Sequence, residues 1–212
     1  GTSLKLDCNF NVNTSSQIRL ALTDGNSSGT LRAQGKRASD GNWMLEVKTD
    51  DLARRVLLLT GLEPAGHIGD AVINGSHTVH LNPSGLTAVG RFNVGTTLPT
   101  IQWTTDYQLA ADYSGRRVLI NSLNLEGRQS QNIVLTGALK EPLRLDLIQT
   151  GLALGDIGCE LEAKRLNLSQ WRAVMGHKLD AGTLDLKLQA RIAPAKKMVD
   201  YDLAATASRL RG

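Results

Sequence analysis

The 212-residue sequence is poor in aromatics, with three Trp, three Tyr and two Phe, about 4% of the chain. Any interior built from it is therefore aliphatic, because the large rings that dominate most cores are scarce. Cysteine is scarcer still. Cys8 and Cys159 make no disulfide framework. Both fall on the apolar phase of a strand pattern, which favours buried free thiols, a single bridge in an oxidising compartment being the alternative. A dominant charge is also missing: the formal net charge is +4, too small for this length to argue for a nucleic-acid partner. Arg54-Arg55, Arg116-Arg117 and Lys196-Lys197 are pairs rather than a basic tract, and they read as solvated faces. No apolar run approaches the roughly 20 residues that a membrane-spanning helix needs, and no signal-peptide pattern opens the chain. Gly1-Thr2-Ser3 reads as a cloning remnant, Leu4 begins in full strand pattern, and Arg211-Gly212 carries no stop signal. The chain is expected to be a piece of a longer protein.

What the sequence has is alternation. Leu4, Leu6, Cys8, Phe10 and Val12 are apolar and the residues between them polar, the period of a strand with one dry and one wet face. Ile18, Leu20 and Leu22 repeat the pattern, as do Trp43, Leu45 and Val47. The longest run is Ile101, Trp103, Thr105, Tyr107, Leu109, Ala111 and Tyr113. Turn signals recur roughly every 10 residues, among them Asp24-Gly25, Asp40-Gly41, Asn82-Pro83-Ser84-Gly85 and Ser114-Gly115. About a dozen short strands joined this tightly point to an antiparallel, mainly β arrangement, because parallel crossovers need longer connections. We expect one β-rich domain over 1–212, with a sub-boundary near residue 50.

Two stretches interrupt the strands in the same way. Leu52, Val56 and Leu59 share one helical face, and so do Leu168, Trp171 and Met175. Asp50 or Asp51 is placed to cap the first helix, Asn167 or Ser169 the second. Gly61 and Gly176 suit the left-handed residue that ends a helix. A second glycine, Gly66 or Gly182, then hands over to a strand. The spacing predicts two short amphipathic helices.

Reaction chemistry does not assemble. Gly25-Asn26-Ser27-Ser28-Gly29 has the G-x-S-x-G spacing, but a nucleophile elbow needs a helix after the serine and a β pattern follows instead. His77 and His80 are three apart, which on a strand puts them on opposite faces and prevents shared metal ligation. No acid/base pair, nucleophile, metal site or cofactor motif emerges, and the chain reads as non-enzymatic. The open question is what covers the dry face: a second sheet in a closed sandwich, with function on the polar surface, or a folded-over sheet enclosing a groove for an apolar ligand.

Asn167-Leu168-Ser169-Gln170-Trp171-Arg172-Ala173-Val174-Met175-Gly176, followed by Gly182-Thr183-Leu184-Asp185-Leu186-Lys187-Leu188, resembles the AsmA-like (TamB-like) envelope proteins. Asp51-Leu52-Ala53-Arg54-Arg55-Val56-Leu57-Leu58-Leu59-Thr60-Gly61 resembles the same superfamily. The resemblance implies an elongated, curled antiparallel sheet with a greasy groove. It implies a periplasmic protein, anchored to the inner membrane by a helix outside this chain, that moves glycerophospholipids toward the outer membrane or supports outer-membrane assembly. Its partners would be phospholipid acyl chains, the envelope membranes and outer-membrane assembly proteins. The resemblance carries over no catalytic residue. Alternation alone nominates the groove residues: Leu4, Leu6, Phe10, Val12, Trp103, Tyr107, Leu109, Leu184, Leu186 and Leu188.

Overall fold

The computed structural model describes residues 2–11, 15–24, 27–38, 40–53, 71–97, 100–148, 151–171 and 181–211. Within them the chain forms strands β1 (Thr2–Asn11), β2 (Ser15–Asp24), β3 (Ser27–Arg37), β4 (Trp43–Ala53), β5 (Ala71–Asn82), β6 (Gly85–Thr97) and β7 (Thr100–Asp112). β8 (Arg117–Gln129), β9 (Asn132–Leu139), β10 (Leu143–Ile148), β11 (Gly151–Leu154), β12 (Ile157–Asn167), β13 (Ala181–Ala193) and β14 (Met198–Arg211) follow. All belong to one antiparallel sheet, which curls without closing into a barrel. β1 and β14 stand at its two ends. No second sheet faces it among the described residues.

The strand order is a meander once two breaks are understood. β9 and β10 both pair β8, at Asn124–Gln129 and Arg117–Ile120 respectively, so they are two halves of one long strand. β12 and β11 pair those halves in turn. The break falls at Lys140-Glu141-Pro142, where proline has no N–H to give the ladder. Backbone bonds carry the pairing across it: Lys140 N–H donates to Gly158 O at 2.8 Å and Gly155 N–H to Arg144 O at 2.7 Å.

The expected turns form through their side chains. Asn82 Oδ1 accepts the N–H groups of Ser84 and Gly85 at 2.9 and 2.8 Å. Asp112 Oδ1 accepts Gly115 N–H at 3.0 Å and the Ser114 hydroxyl at 2.8 Å. Asx side chains of this kind fold the backbone back on itself without needing a longer loop.

The two helices require correction. Asp51-Leu52-Ala53 is not a helix start but the end of β4; residues 54–70 lie outside the described residues. In the second copy, Leu168–Trp171 is a single 3-10 turn, and 172–180 lie outside the described residues. Asn167 does cap that turn, its Oδ1 accepting Ser169 N–H at 3.1 Å and the Ser169 hydroxyl at 2.8 Å. Ladder pairing reaches the edge of both segments: Leu52 pairs Ile73, and Leu166 and Asn167 pair Leu184 and Thr183.

The repeat itself is present, shifted by two residues. Pairing jumps from Thr49/Gly75 to Leu52/Ile73 in one place and from Ala163/Leu186 to Leu166/Leu184 in the other. Asp51 and Arg165 are the bulged residues, each with φ of 49°. Asp51 N–H donates to Asn74 Oδ1 at 2.9 Å and Arg165 N–H to Asp185 Oδ1 at 2.8 Å. Structurally, then, Asp51-Leu52 matches Arg165-Leu166 rather than Asn167-Leu168. Such a bulge bends a strand and sharpens its twist.

The packed core is small. Val134, Ala163 and Leu166 form a buried cluster with Trp171, Leu184 and Leu186 against it. The 3-10 turn lies across this end of the sheet: Gln129 Nε2 donates to Gln170 Oε1 at 2.7 Å, and Trp171 meets Trp103 edge to face at a centroid distance of 6.4 Å. Among the described residues no helix is long and apolar enough to cross a membrane.

Candidate functional site: the apolar face

Residues paired across an antiparallel ladder project from the same side of the sheet, so register alone sorts the candidates. One row runs unbroken through twelve of the fourteen strands, all but β10 and β11. Leu6 pairs Leu20, Leu20 pairs Leu31, and Leu31 pairs Thr49. The row continues through Gly75, Phe92, Thr105 and Leu125. It then crosses Gly137, Leu161 and Leu188 to Leu203. A second row links Phe10, Gly35, Leu45, Val79, Ala88, Leu109 and Leu143. A third joins Trp103 through Gly127, Leu135 and Ala163 to Leu186. Leu4 falls beside Leu22, two places from Leu6, and Leu184 two places from Leu186. Tyr107 lies between Thr105 and Leu109 on β7 in the same phase. Nine of the ten nominated residues thus share one face by register; Val12 lies outside the described residues.

That face is not sealed. Trp103, Tyr107, Leu109, Leu184, Leu186 and Leu188 are all half-buried, none buried. The inner face of a closed two-sheet core would bury them. On β14 the apolar phase is open to solvent: Val199, Tyr201 and Leu203 are 59%, 70% and 51% exposed. The opposite face carries the charges. Arg91 and Asp106, directly opposed on β6 and β7, bond at 2.6 and 3.0 Å. Arg117 and Arg144 both hold Asp146, whose carboxyl is thereby kept below its ordinary range, the Arg144 hydrogen bond being the larger cause. Exposed pairs of this kind contribute little stability, but they mark which side is wet.

One polar cluster breaks the apolar face. His77 and Thr49 are each 7% exposed. The Tyr107 hydroxyl lies 3.0 Å from His77 Nδ1, and the His77 ring sits 4.3 Å from that of Phe92. Glycines make room for this group. A Cβ on Gly75 would stand 2.5 Å from His77 Nε2 and 2.8 Å from Thr49 Oγ1, and one on Gly90 would collide with the His77 and Tyr107 rings. Burial pushes the His77 imidazole below its ordinary pKa and the Tyr107 phenol above its own, so both are neutral at pH 7. His77 Nε2 and Thr49 Oγ1 have no hydrogen-bond partner. The sequence reading missed the cluster, although counting back by twos from Leu81 and Val79 lands on His77.

Other candidates dissolve. Ser27 opens β3 and is followed by strand, not the helix an elbow requires. His80 is exposed on the face opposite His77. Cys159 is a half-buried free thiol. Among the described residues no three His, Cys, Asp or Glu side chains gather as a metal site would need. No family model, curated protein or solved structure matches this chain.

Proposed function

We propose that this chain is a segment of an AsmA-like periplasmic protein whose apolar face shields lipid acyl chains during phospholipid transport between the inner and outer membranes, or during outer-membrane biogenesis. The observation that carries this reading is the row of mostly aliphatic and glycine positions from Leu6 to Leu203, continuous through the sheet and half-open where its side chains are described. Curling of a one-sided sheet brings such rows to face one another across a trough. Each methylene transferred there from water is stabilised by about 0.8 kcal/mol, so a long acyl tail binds firmly without a dedicated polar partner. Glycines in the rows fit the same picture, because small residues relieve crowding on the inner side of a curl. An inner-membrane anchor and outer-membrane assembly partners belong to segments outside this chain.

Native mass spectrometry after mild purification tests the reading, together with uptake of a fluorescent phospholipid. Bound lipid and saturable uptake are expected. Absence of both would remove the proposal. Leu186→Asp, in the third row, is expected to abolish uptake; far-ultraviolet circular dichroism distinguishes lost binding from lost fold.

A structural or adhesive role through the polar face has one observation in its favour. Thr104, Asp106, Glu126, Glu160, Glu162 and Lys187 surround a concavity of about 460 Å³ on that side. An apolar dye separates the two readings: it binds an open aliphatic trough and ignores a protein that works through its charged side.

A further inference from the structure

The apolar face carries one dry pair of unused hydrogen-bonding groups, and we propose that Thr49 and His77 bind the carbonyl oxygen of a lipid acyl ester. The inference rests on the groove reading above and adds to it a point at which the lipid is held in register.

The chemistry follows from the geometry. The Thr49 hydroxyl and His77 Nε2 converge over Gly75, within 2.8 and 2.5 Å of the place where its Cβ would be. Both side chains are more than nine-tenths buried, and neither atom has a partner. A buried donor left unsatisfied is destabilising, so an oxygen that accepts from both is favoured there. In the tautomer in which the Tyr107 hydroxyl, 3.0 Å from His77 Nδ1, donates to that nitrogen, the proton sits on Nε2 and His77 is a donor. Thr49 supplies the second O–H. A carbonyl oxygen has two lone pairs and matches two donors. The surroundings select a neutral ligand: Thr49, His77 and Tyr107 are uncharged, and a carboxylate brought into so dry a place would pay heavily for desolvation. Apolar positions lie along the strands on both sides, Val47 and Val79 toward one end and Ile73 and Val94 toward the other. An ester seated between them has hydrocarbon on each side of its single polar link.

The test compares two pyrene-labelled glycerophospholipids that differ only in linkage, a diacyl ester and its diether analogue, on the whole chain. The wild-type protein is expected to bind the ester about tenfold more tightly than the ether, as two hydrogen bonds of ordinary strength allow. In Thr49→Val and in His77→Phe the ester-to-ether ratio falls toward one. A measurement on the wild type alone guards against variants that fold poorly: the infrared ester carbonyl band of bound lipid shifts to lower frequency than the same lipid shows in detergent. Equal affinity for ester and ether, with no carbonyl shift, would overturn the assignment while leaving the groove intact. Failure of both lipids to bind would overturn the groove reading and this inference with it.

Discussion

At His77 an imidazole stands in a row between Val47 and Gly90, with Tyr107 next beyond, and its burial makes stability depend on pH. The folded-state pKa is depressed below the ordinary 6.5, so the unfolded chain takes up the proton more readily. Between the two values the unfolded state holds more protons, and stability falls as pH drops below about 6.5, while above it the contribution is full. The urea midpoint is expected to decline from pH 7 to pH 5, and His77→Phe to flatten that decline; an unchanged slope in the variant would show that His77 is not responsible. Gly182 makes a second residue-scale case. Its φ of +147° is one that side chains avoid, and a Cβ would stand 2.9 Å from Leu210 Cδ2 and 3.3 Å from Leu168 Cδ1. Gly182→Ala should lose about 1–3 kcal/mol in urea denaturation. The sequence marks this glycine as a handover into a strand. Its reason is different: it sits inside β13, opposite the irregular end of β14.

At the scale of elements, the two bulges are the unit that repeats. Each is closed by one side chain from the next strand, Asn74 or Asp185, accepting the N–H of the residue with positive φ. Asn74→Ala and Asp185→Ala should each cost about 0.5–1.5 kcal/mol and speed amide exchange at Asp51 and Arg165 respectively. If exchange stays slow, the side chains are not what holds the bulges. Alternation made the strands legible, since Leu184, Leu186 and Leu188 alternate in exposure with Asp185, Lys187 and Gln189 as written in the chain. The helices are not confirmed: Leu168 to Trp171 make one 3-10 turn where the spacing places a helix start, Asp51 to Ala53 are strand, and the rest of both spans lies outside the described residues. Nor did spacing reveal that the segments on either side of Pro142, β9 and β10, share β8 as partner, because the pairing that spans the break is long-range.

For the whole molecule the decisive feature is an open sheet with unlike faces. β14 is exposed at every residue, and its apolar phase holds Val199, Tyr201 and Leu203 with no inward charge to discourage pairing. Long edges of this kind recruit further strands. The isolated chain is therefore expected to associate with rising concentration in sedimentation velocity, and Leu203→Lys to suppress that association. Equal association by the variant would place the contact elsewhere.

Alternation by itself determined the class of this protein. A period of two, few rings and turn residues every ten positions leave little besides an antiparallel sheet with one aliphatic side. The nominated residues of β1, β7 and β13 could be named from that period, and register placed them on one face. What only the tertiary structure decided is how far that face is covered, and where a polar pair interrupts it. Coverage depends on how the sheet curls and on Trp171 reaching Trp103 from six elements away in the chain. The meeting of Thr49, His77 and Tyr107 depends on four strands, β4 to β7, lying in register with Gly75 and Gly90 leaving room. Period records which side of a strand a residue takes; it carries no information about what arrives there from the rest of the fold.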